Sequence, residues 1–264
     1  MNGFDLSRID VDGFAYVRDF VPHVMLRKLR VEMRDAAKQH RTVTCENNGE
    51  KINLYSDSFI PHLIATNRYF LEFLTLIISS GLKICLEKEF FKAKCILNSF
   101  SGLENRRSKK AFFEDVHRDM RFFSGSIPVM LNIVVMVDDF HPDRGPTLVL
   151  PESHAIASKP SIESFNRNAV PIQGKAGDVF IFNSNIWHRA SENTSRFRRR
   201  ALAVTLSRSF YKQLFDYSSL FTSNELDRMQ PELRQFLGFD SRTPCSLRDW
   251  YVEAGKRFYK PNQD

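Results

Sequence analysis

Gly177-Asp178-Val179-Phe180-Ile181-Phe182-Asn183-Ser184-Asn185-Ile186-Trp187-His188 is the stretch that decides the fold of this 264-residue chain. Gly177 to Asn183 reads as a short strand, and Ile186-Trp187-His188 begins another. Working outward, Lys94 to Phe100, Phe112 to His117, the strongly apolar Val129 to Val137, Pro146 to Leu150 and Arg198 to Ser207 read as further strands. Gly, Pro, Asn and Asp punctuate them at close spacing. That is the pattern of an antiparallel sandwich or barrel, and the expected class is mainly β with flanking helices.

The flanks supply the helices. Gly13 to Val17 alternates like a strand. Pro22 then stands where a helix would begin, and Met25, Leu26, Leu29, Met33, Ala36 and Ala37 follow at helical spacing through Gln39. Thr42 to Lys51 is polar and reads as a loop. Asn67 to Leu86 predicts a second helix with Phe70, Phe73, Leu74, Ile77 and Ile78 inward. After Phe210 helices return: Thr222-x-x-Glu225 has the form of a capping box, and Pro231 to Leu237 runs into the stop Gly238. No linker interrupts the pattern. One domain, 1–264, is expected, with an N-terminal helical scaffold and short strands (1–91), a β core (92–210) and C-terminal helices (211–264).

Composition narrows the functional classes. A hydrophobic fraction of 42% and 24 phenylalanines suit a packed globular protein. The apolar run Tyr69 to Ile78 is interrupted by Glu72 and too short for a bilayer, and the first residues lack the form of a secretory signal. Cys45, Cys85, Cys95 and Cys245 show neither zinc-knuckle nor disulfide spacing, so a cytoplasmic setting is expected. The net charge of +7, with the runs Arg106-Arg107-Ser108-Lys109-Lys110 and Arg196-Phe197-Arg198-Arg199-Arg200, favours an anionic or carrier-bound small molecule as partner. Aromatics do not interleave with these runs as a nucleic-acid platform requires.

The chemistry concentrates in His117-x-Asp119 and the distant His188. Two imidazoles and one carboxylate leave about three positions of an octahedral Fe(II) open, which oxygen chemistry needs. The pair alone is weak, because seven histidines and 31 acidic residues in 264 positions give roughly one chance match. A second match, His141-Pro142-Asp143, lies among turn residues and reads as a decoy. Arg199 follows His188 by 11 residues, enough to leave that strand, turn through Ser191-Glu192-Asn193-Thr194-Ser195, and return alongside it. From there it could grip a carboxylate bidentately.

These residues resemble the phytanoyl-CoA dioxygenase-like branch of the Fe(II)/2-oxoglutarate oxygenases. The likeness lies in His117-Arg118-Asp119, in Gly145-Pro146-Thr147-Leu148-Val149-Leu150-Pro151-Glu152-Ser153-His154, in Gly177 to Phe182, and in Trp187-His188 through Arg199-Arg200-Ala201. Asp12-Gly13-Phe14 and Ser246 to Tyr251 extend it to nearly the whole chain. The resemblance implies a double-stranded β-helix, a jelly-roll or cupin-like barrel. It places His117, Asp119 and His188 on iron and Arg199 on the distal carboxylate of 2-oxoglutarate. Oxygen and 2-oxoglutarate would then serve as co-substrates for C–H hydroxylation. Arg198 and Arg200 should face away. Asn132 either contacts 2-oxoglutarate or makes a cross-strand hydrogen bond. His154 reads as structural.

Two departures stand out. Ala190 occupies a position where the family often has serine, and Glu152 replaces a turn glycine. Phe113, Phe122, Phe123, Phe182 and Trp187 are candidates for cavity wall or for core, and the 42–58 and 101–112 regions for substrate contact. Two alternatives stay open: a cupin-type metalloenzyme without 2-oxoglutarate, against which Arg199 argues, and a non-catalytic binding barrel, against which the intact triad argues.

Overall fold

The computed structural model describes residues 4–47, 49–56, 58–107, 115–253, 256, 257, 260 and 263. Its strands are β1 (Phe14–Val17), β2 (Cys45–Asn47), β3 (Glu50–Ile52), β4 (Phe59–Ile60), β5 (Cys95–Asn105), β6 (Met130–Met136), β7 (Thr147–Val149), β8 (Val170–Pro171), β9 (Val179–Asn183), β10 (His188–Ala190) and β11 (Arg199–Arg208). An antiparallel sheet runs β1-β9-β6-β11-β5-β4, a smaller one runs β10-β7-β8, and β2 pairs with β3. The two larger sheets share an interior. Val134, Met136, Phe180, Phe182 and Ala201 of the large sheet pack in one cluster with Val149 of the small one. This is a double-stranded β-helix.

The large sheet is covered on both faces, which explains its apolar sequence. Every residue of β6 is buried. Leu131, Ile133 and Val135 point one way, into the main core with Leu202, Val204 and Leu206 of β11 and the helices behind. Met130, Asn132, Val134 and Met136 point the other way, toward the barrel interior. Burial of each large aliphatic contributes about 1.5–3 kcal/mol, so β6 is fixed in register by its outer face while Asn132 is held on the inner one.

Helix His23–His40 buries Leu26, Leu29, Met33, Ala36 and Ala37 as the spacing predicts. The helix expected over 67–86 is broken. Gly81, with φ of +83°, ends Tyr69–Ser79 and starts Leu82–Leu86, because a left-handed residue cannot continue a right-handed helix. A π turn, Glu87–Phe91, follows. Its Glu87 carboxylate accepts from Lys83 (2.5 Å), Lys94 (3.2 Å) and the Cys95 N–H (3.1 Å), tying the turn to the start of β5. No single helix among the described residues is long and apolar enough to cross a membrane.

Other expectations shift in detail. The loop predicted over Thr42–Lys51 holds the β2–β3 hairpin, turning at Gly49 with φ of +82°. β5 extends to Asn105, five residues past the predicted end at Phe100, because β11 pairs with it along its whole length. Of the strand expected over Phe112–His117, positions 112–114 lie outside the described residues, as does Phe113. His117 itself makes one bridge, to His188. The capping box at Thr222 and Glu225 is formed. All four cysteines are free, and burial pushes the Cys95 thiol up to about 12.

Candidate active site

His117 and His188 form an antiparallel backbone pair, N–H to carbonyl in both directions at 3.0 and 2.9 Å. Their imidazoles therefore project side by side, ring centres 4.3 Å apart. Each ring donates its Nδ1–H to a carbonyl two residues upstream, His117 to Asp115 (2.7 Å) and His188 to Ile186 (3.1 Å). A carbonyl only accepts, so in the neutral form both rings carry the proton on Nδ1 and turn Nε2 toward Asp119. Asp119 completes the group, with its oxygens 3.6 Å from His117 Nε2 and 3.8 Å from His188 Nε2. The three ligand atoms lie within 4.8 Å of one another.

The carboxylate is itself positioned. Asn132 donates from Nδ2 to Asp119 Oδ2 (2.7 Å) and to Ser184 Oγ (2.9 Å), and its oxygen accepts from Thr205 Oγ1 (2.7 Å). Beside Asp119, Met120 donates its N–H to the Ser184 carbonyl at 3.1 Å. The turn between β9 and β10 thus supports the ligand segment.

Electrostatics prepare the group for a cation. Burial alone would raise the Asp119 carboxyl, but the two imidazoles outweigh it and hold the group below its ordinary value. Burial pushes the His188 imidazole down. For His117 burial acts the same way, yet the adjacent Asp119 carboxylate reverses it and the net direction is up. An ionised carboxylate beside a neutral imidazole is the protonation state a metal requires, and two nitrogens with one oxygen suit Fe(II).

Arg199 opens β11, and its side chain lies on the inner face with Ala201, Ala203 and Thr205. It is 5% exposed, lies over the Phe140 ring (4.3 Å), and makes no hydrogen bond or ion pair among the described residues; its buried Nε has no acceptor. Burial pushes its guanidinium down to about 10, still charged at neutral pH. Arg200 faces away and is clamped to Asp138 by both guanidinium and backbone N–H (2.7–3.0 Å), with Arg30 on the same carboxylate at 3.1 Å. Arg198 lies 3.3 Å from Glu104.

The route to Arg199 differs from the expected one. β10 belongs to the small sheet and pairs with β7, whereas β11 lies between β6 and β5 in the large sheet. The chain crosses between sheets instead of returning alongside itself. The crossing is pinned, because Asn193 donates to the carbonyls of Asn105 (3.0 Å) and Phe197 (2.8 Å), and Thr194 and Ser195 donate backbone N–H groups to Asp143.

Comparison with known proteins agrees with this geometry. The sequence profile of phytanoyl-CoA dioxygenase (PhyH) matches residues 9–201. The chain belongs to the phytanoyl-CoA dioxygenase family. It is 36% identical over 155 residues to the uncharacterized protein Rv1501 of Mycobacterium tuberculosis, covering 59% of this chain and 55% of that one. The match thus spans about half the length of that relative. It is 20% identical to the dioxygenase olcK of Penicillium canescens, over 94% of this chain and 84% of that one. Among solved structures, the epimerase SnoN in complex with Fe3+, alpha ketoglutarate and nogalamycin RO superposes with a TM-score of 0.59 at 15% identity, covering 76% of this chain and 81% of SnoN. AviO1 of Streptomyces viridochromogenes gives 0.58 at 16%, covering 76% and 92%. These likenesses show the shared fold.

In this member of the phytanoyl-CoA dioxygenase family the ligand group and Arg199 line one cavity of about 490 Å³. Of the five aromatics weighed as wall or core, Phe113 lies outside the described residues, and among the other four only Phe182 lines the cavity. Phe122 is half exposed, Phe123 lies near Arg118 on the same loop, and Trp187 packs with Val116 and Phe165. The wall instead draws on Ser99, Ser101, Leu103, Met130, Val134, Ala203, Tyr211 and Leu214. Ser58 comes from the expected 42–58 region, while residues 101–105 contribute as strand β5 rather than as a loop. Opposite Ala190, Thr147 is its register partner and also lines the cavity. Inward positions on β5 and β11 could have been found by counting alternate residues from Arg199; Tyr211 and Leu214 carry no such signal. His141 lies in an exposed turn bonded to Asp143 at 2.6 Å. His154 packs beside Gly13, where a Cβ would lie 2.7 Å from its Nδ1.

Proposed function

We propose that this protein is an Fe(II)/2-oxoglutarate-dependent dioxygenase that hydroxylates an unactivated C–H bond of a small molecule. One observation carries the reading: a buried guanidinium without a partner among the described residues shares a cavity with two histidines and a carboxylate. A buried cation left unpaired is costly, and a carboxylate entering the cavity would compensate it. A cupin-type enzyme working without 2-oxoglutarate would have no use for that charge.

Iron with 2-oxoglutarate and oxygen supplies the oxidising chemistry, with release of succinate and CO2. His117, Asp119 and His188 hold the metal, and Asn132 acts through Asp119. Arg199 takes the distal carboxylate, and Thr147 supplies the hydroxyl that Ala190 lacks. Leu103, Val134, Phe182 and Ala203 keep the interior apolar and exclude water. Four free cysteines suit a reducing cytoplasm.

The test is anaerobic addition of Fe(II) and 2-oxoglutarate to metal-free protein. The weak visible absorption of an iron-bound keto acid is expected, and Arg199→Ala should abolish it at subsaturating 2-oxoglutarate. Absence of the band in wild type at saturation would favour the cupin alternative.

A further inference from the structure

We infer that the substrate carries an oxyanion, carboxylate or phosphate, bound by Arg121 at one end of the cavity, and presents an apolar body to the interior. This rests on reading the cavity as the oxygenase site. Three arginines line that cavity against two carboxylates. Glu104 is already taken, by Arg106 at 2.5 Å and Arg198 at 3.3 Å. Asp119 belongs to the ligand group. Arg199 is assigned to the co-substrate, and 2-oxoglutarate, as a dianion, balances the charge of Fe(II). Arg118 donates to the Ala157 carbonyl and stacks on Trp187, 4.2 Å from the ring centre.

Arg121 is different. It lines the cavity yet has no acceptor or counter-ion among the described residues. The turn that leads into His188 contacts the chain on both sides of it. The Met120 N–H donates to the Ser184 carbonyl at 3.1 Å, and the Ser124 hydroxyl accepts from Asn185 Nδ2 at 2.8 Å. Arg121 stands two positions after Asp119, no more than about 7 Å of chain. The Arg121 side chain is exposed at the edge of the cavity, where it can meet an entering ligand, and a guanidinium matches carboxylate and phosphate geometry. The neighbouring wall is apolar. Met120, Val129 and Met130 cluster with Tyr211, and Leu214 continues that side of the cavity. An anion on Arg121 would therefore lay its hydrocarbon part over Met130 and Tyr211.

The experiment is calorimetric titration of hexanoate, hexyl phosphate and neutral hexanamide into anaerobic protein loaded with Fe(II) and 2-oxoglutarate, in wild type and Arg121→Gln. At least one anion should bind about tenfold or more tightly than the amide, and Arg121→Gln should weaken that anion by roughly 10- to 100-fold while leaving hexanamide unchanged. The tighter anion identifies the oxyanion. Equal binding of all three probes, undiminished anion affinity in Arg121→Gln, or no heat from either anion at millimolar concentration would overturn the inference. The keto-acid absorption of the same samples tests the oxygenase reading separately. Discrimination without the band would keep Arg121 as an anion site and sink that reading, and a band without discrimination would do the reverse.

Discussion

Asn132→Ala separates two roles that one buried amide could play. The side chain makes two hydrogen bonds to neutral groups, Ser184 (2.9 Å) and Thr205 (2.7 Å), and one to the ionised Asp119 (2.7 Å). A neutral bond contributes about 0.5–1.5 kcal/mol net and one to a charged group about 1.5–3. Asp119 and Thr205 border the cavity, so water can refill part of the gap, whereas Ser184 is fully buried. A loss of about 2–4 kcal/mol is expected for the metal-free protein, lowering Tm by about 5–15 °C for a chain of this size. Because Asn132 aims Asp119, iron affinity should also fall by about 10- to 100-fold. The assay is chelator competition for Fe(II) in the absence of 2-oxoglutarate, with Tm recorded in parallel. Unchanged iron affinity together with weakened 2-oxoglutarate binding would refute this reasoning and make Asn132 a direct co-substrate contact.

Arg199→Ala should weaken 2-oxoglutarate binding while leaving Tm unchanged or higher, since it removes an unpaired buried charge. Arg200→Ala should do the opposite, costing about 1–3 kcal/mol by stripping Asp138 of its bidentate partner; equilibrium titration and thermal melts distinguish the two. Gly145→Ala should lower Tm strongly, because φ is +67° and the new Cβ would meet Asn105 Nδ2 and, at 2.6 Å, the Ser191 carbonyl. A melt indistinguishable from wild type would show that the crossing loop yields freely. His117→Ala and Asp119→Ala should lose bound iron, while His141→Ala and Asp143→Ala should change stability by no more than ~0.5 kcal/mol and keep it. Metal content of the four folded variants decides, and retention of iron by His117→Ala with its loss from His141→Ala would overturn the site.

Sequence patterns located most strands, and the reason lies in how the large sheet is buried. Apart from Asn132 and Asn183, β6 and β9 are apolar because one face meets the helices and the other the barrel interior, and such runs stand out between polar turns. What the pattern could not show was partnership. His188 and Arg199 are separated by a turn that reads the same whether the chain folds back on its own strand or crosses to the other sheet. The crossing is decided by Asn193, Asn105 and Asp143, contacts made by residues far apart in sequence. The break at Gly81 was open to reading from the glycine alone, but the apolar spacing on either side conceals it.

The site was readable to the extent that its chemistry depends on residue type. Iron needs imidazole and carboxylate, so His117, Asp119 and His188 could be picked from a short list, and a second match at His141 could be set aside from its turn residues. The cavity wall is another matter, since any apolar or small side chain can form it. Phe122 and Phe123 were reasonable candidates by proximity to Asp119, yet Arg118 and Met120 are the residues turned inward, onto Trp187 and the Met130 cluster. The same arrangement places Arg121, itself exposed, at the edge of the cavity and Phe122 in solvent away from it. Which side chains of this short loop turn inward follows from the Met120 N–H on the Ser184 carbonyl and from the side-chain bond of Asn185 Nδ2 to Ser124 Oγ.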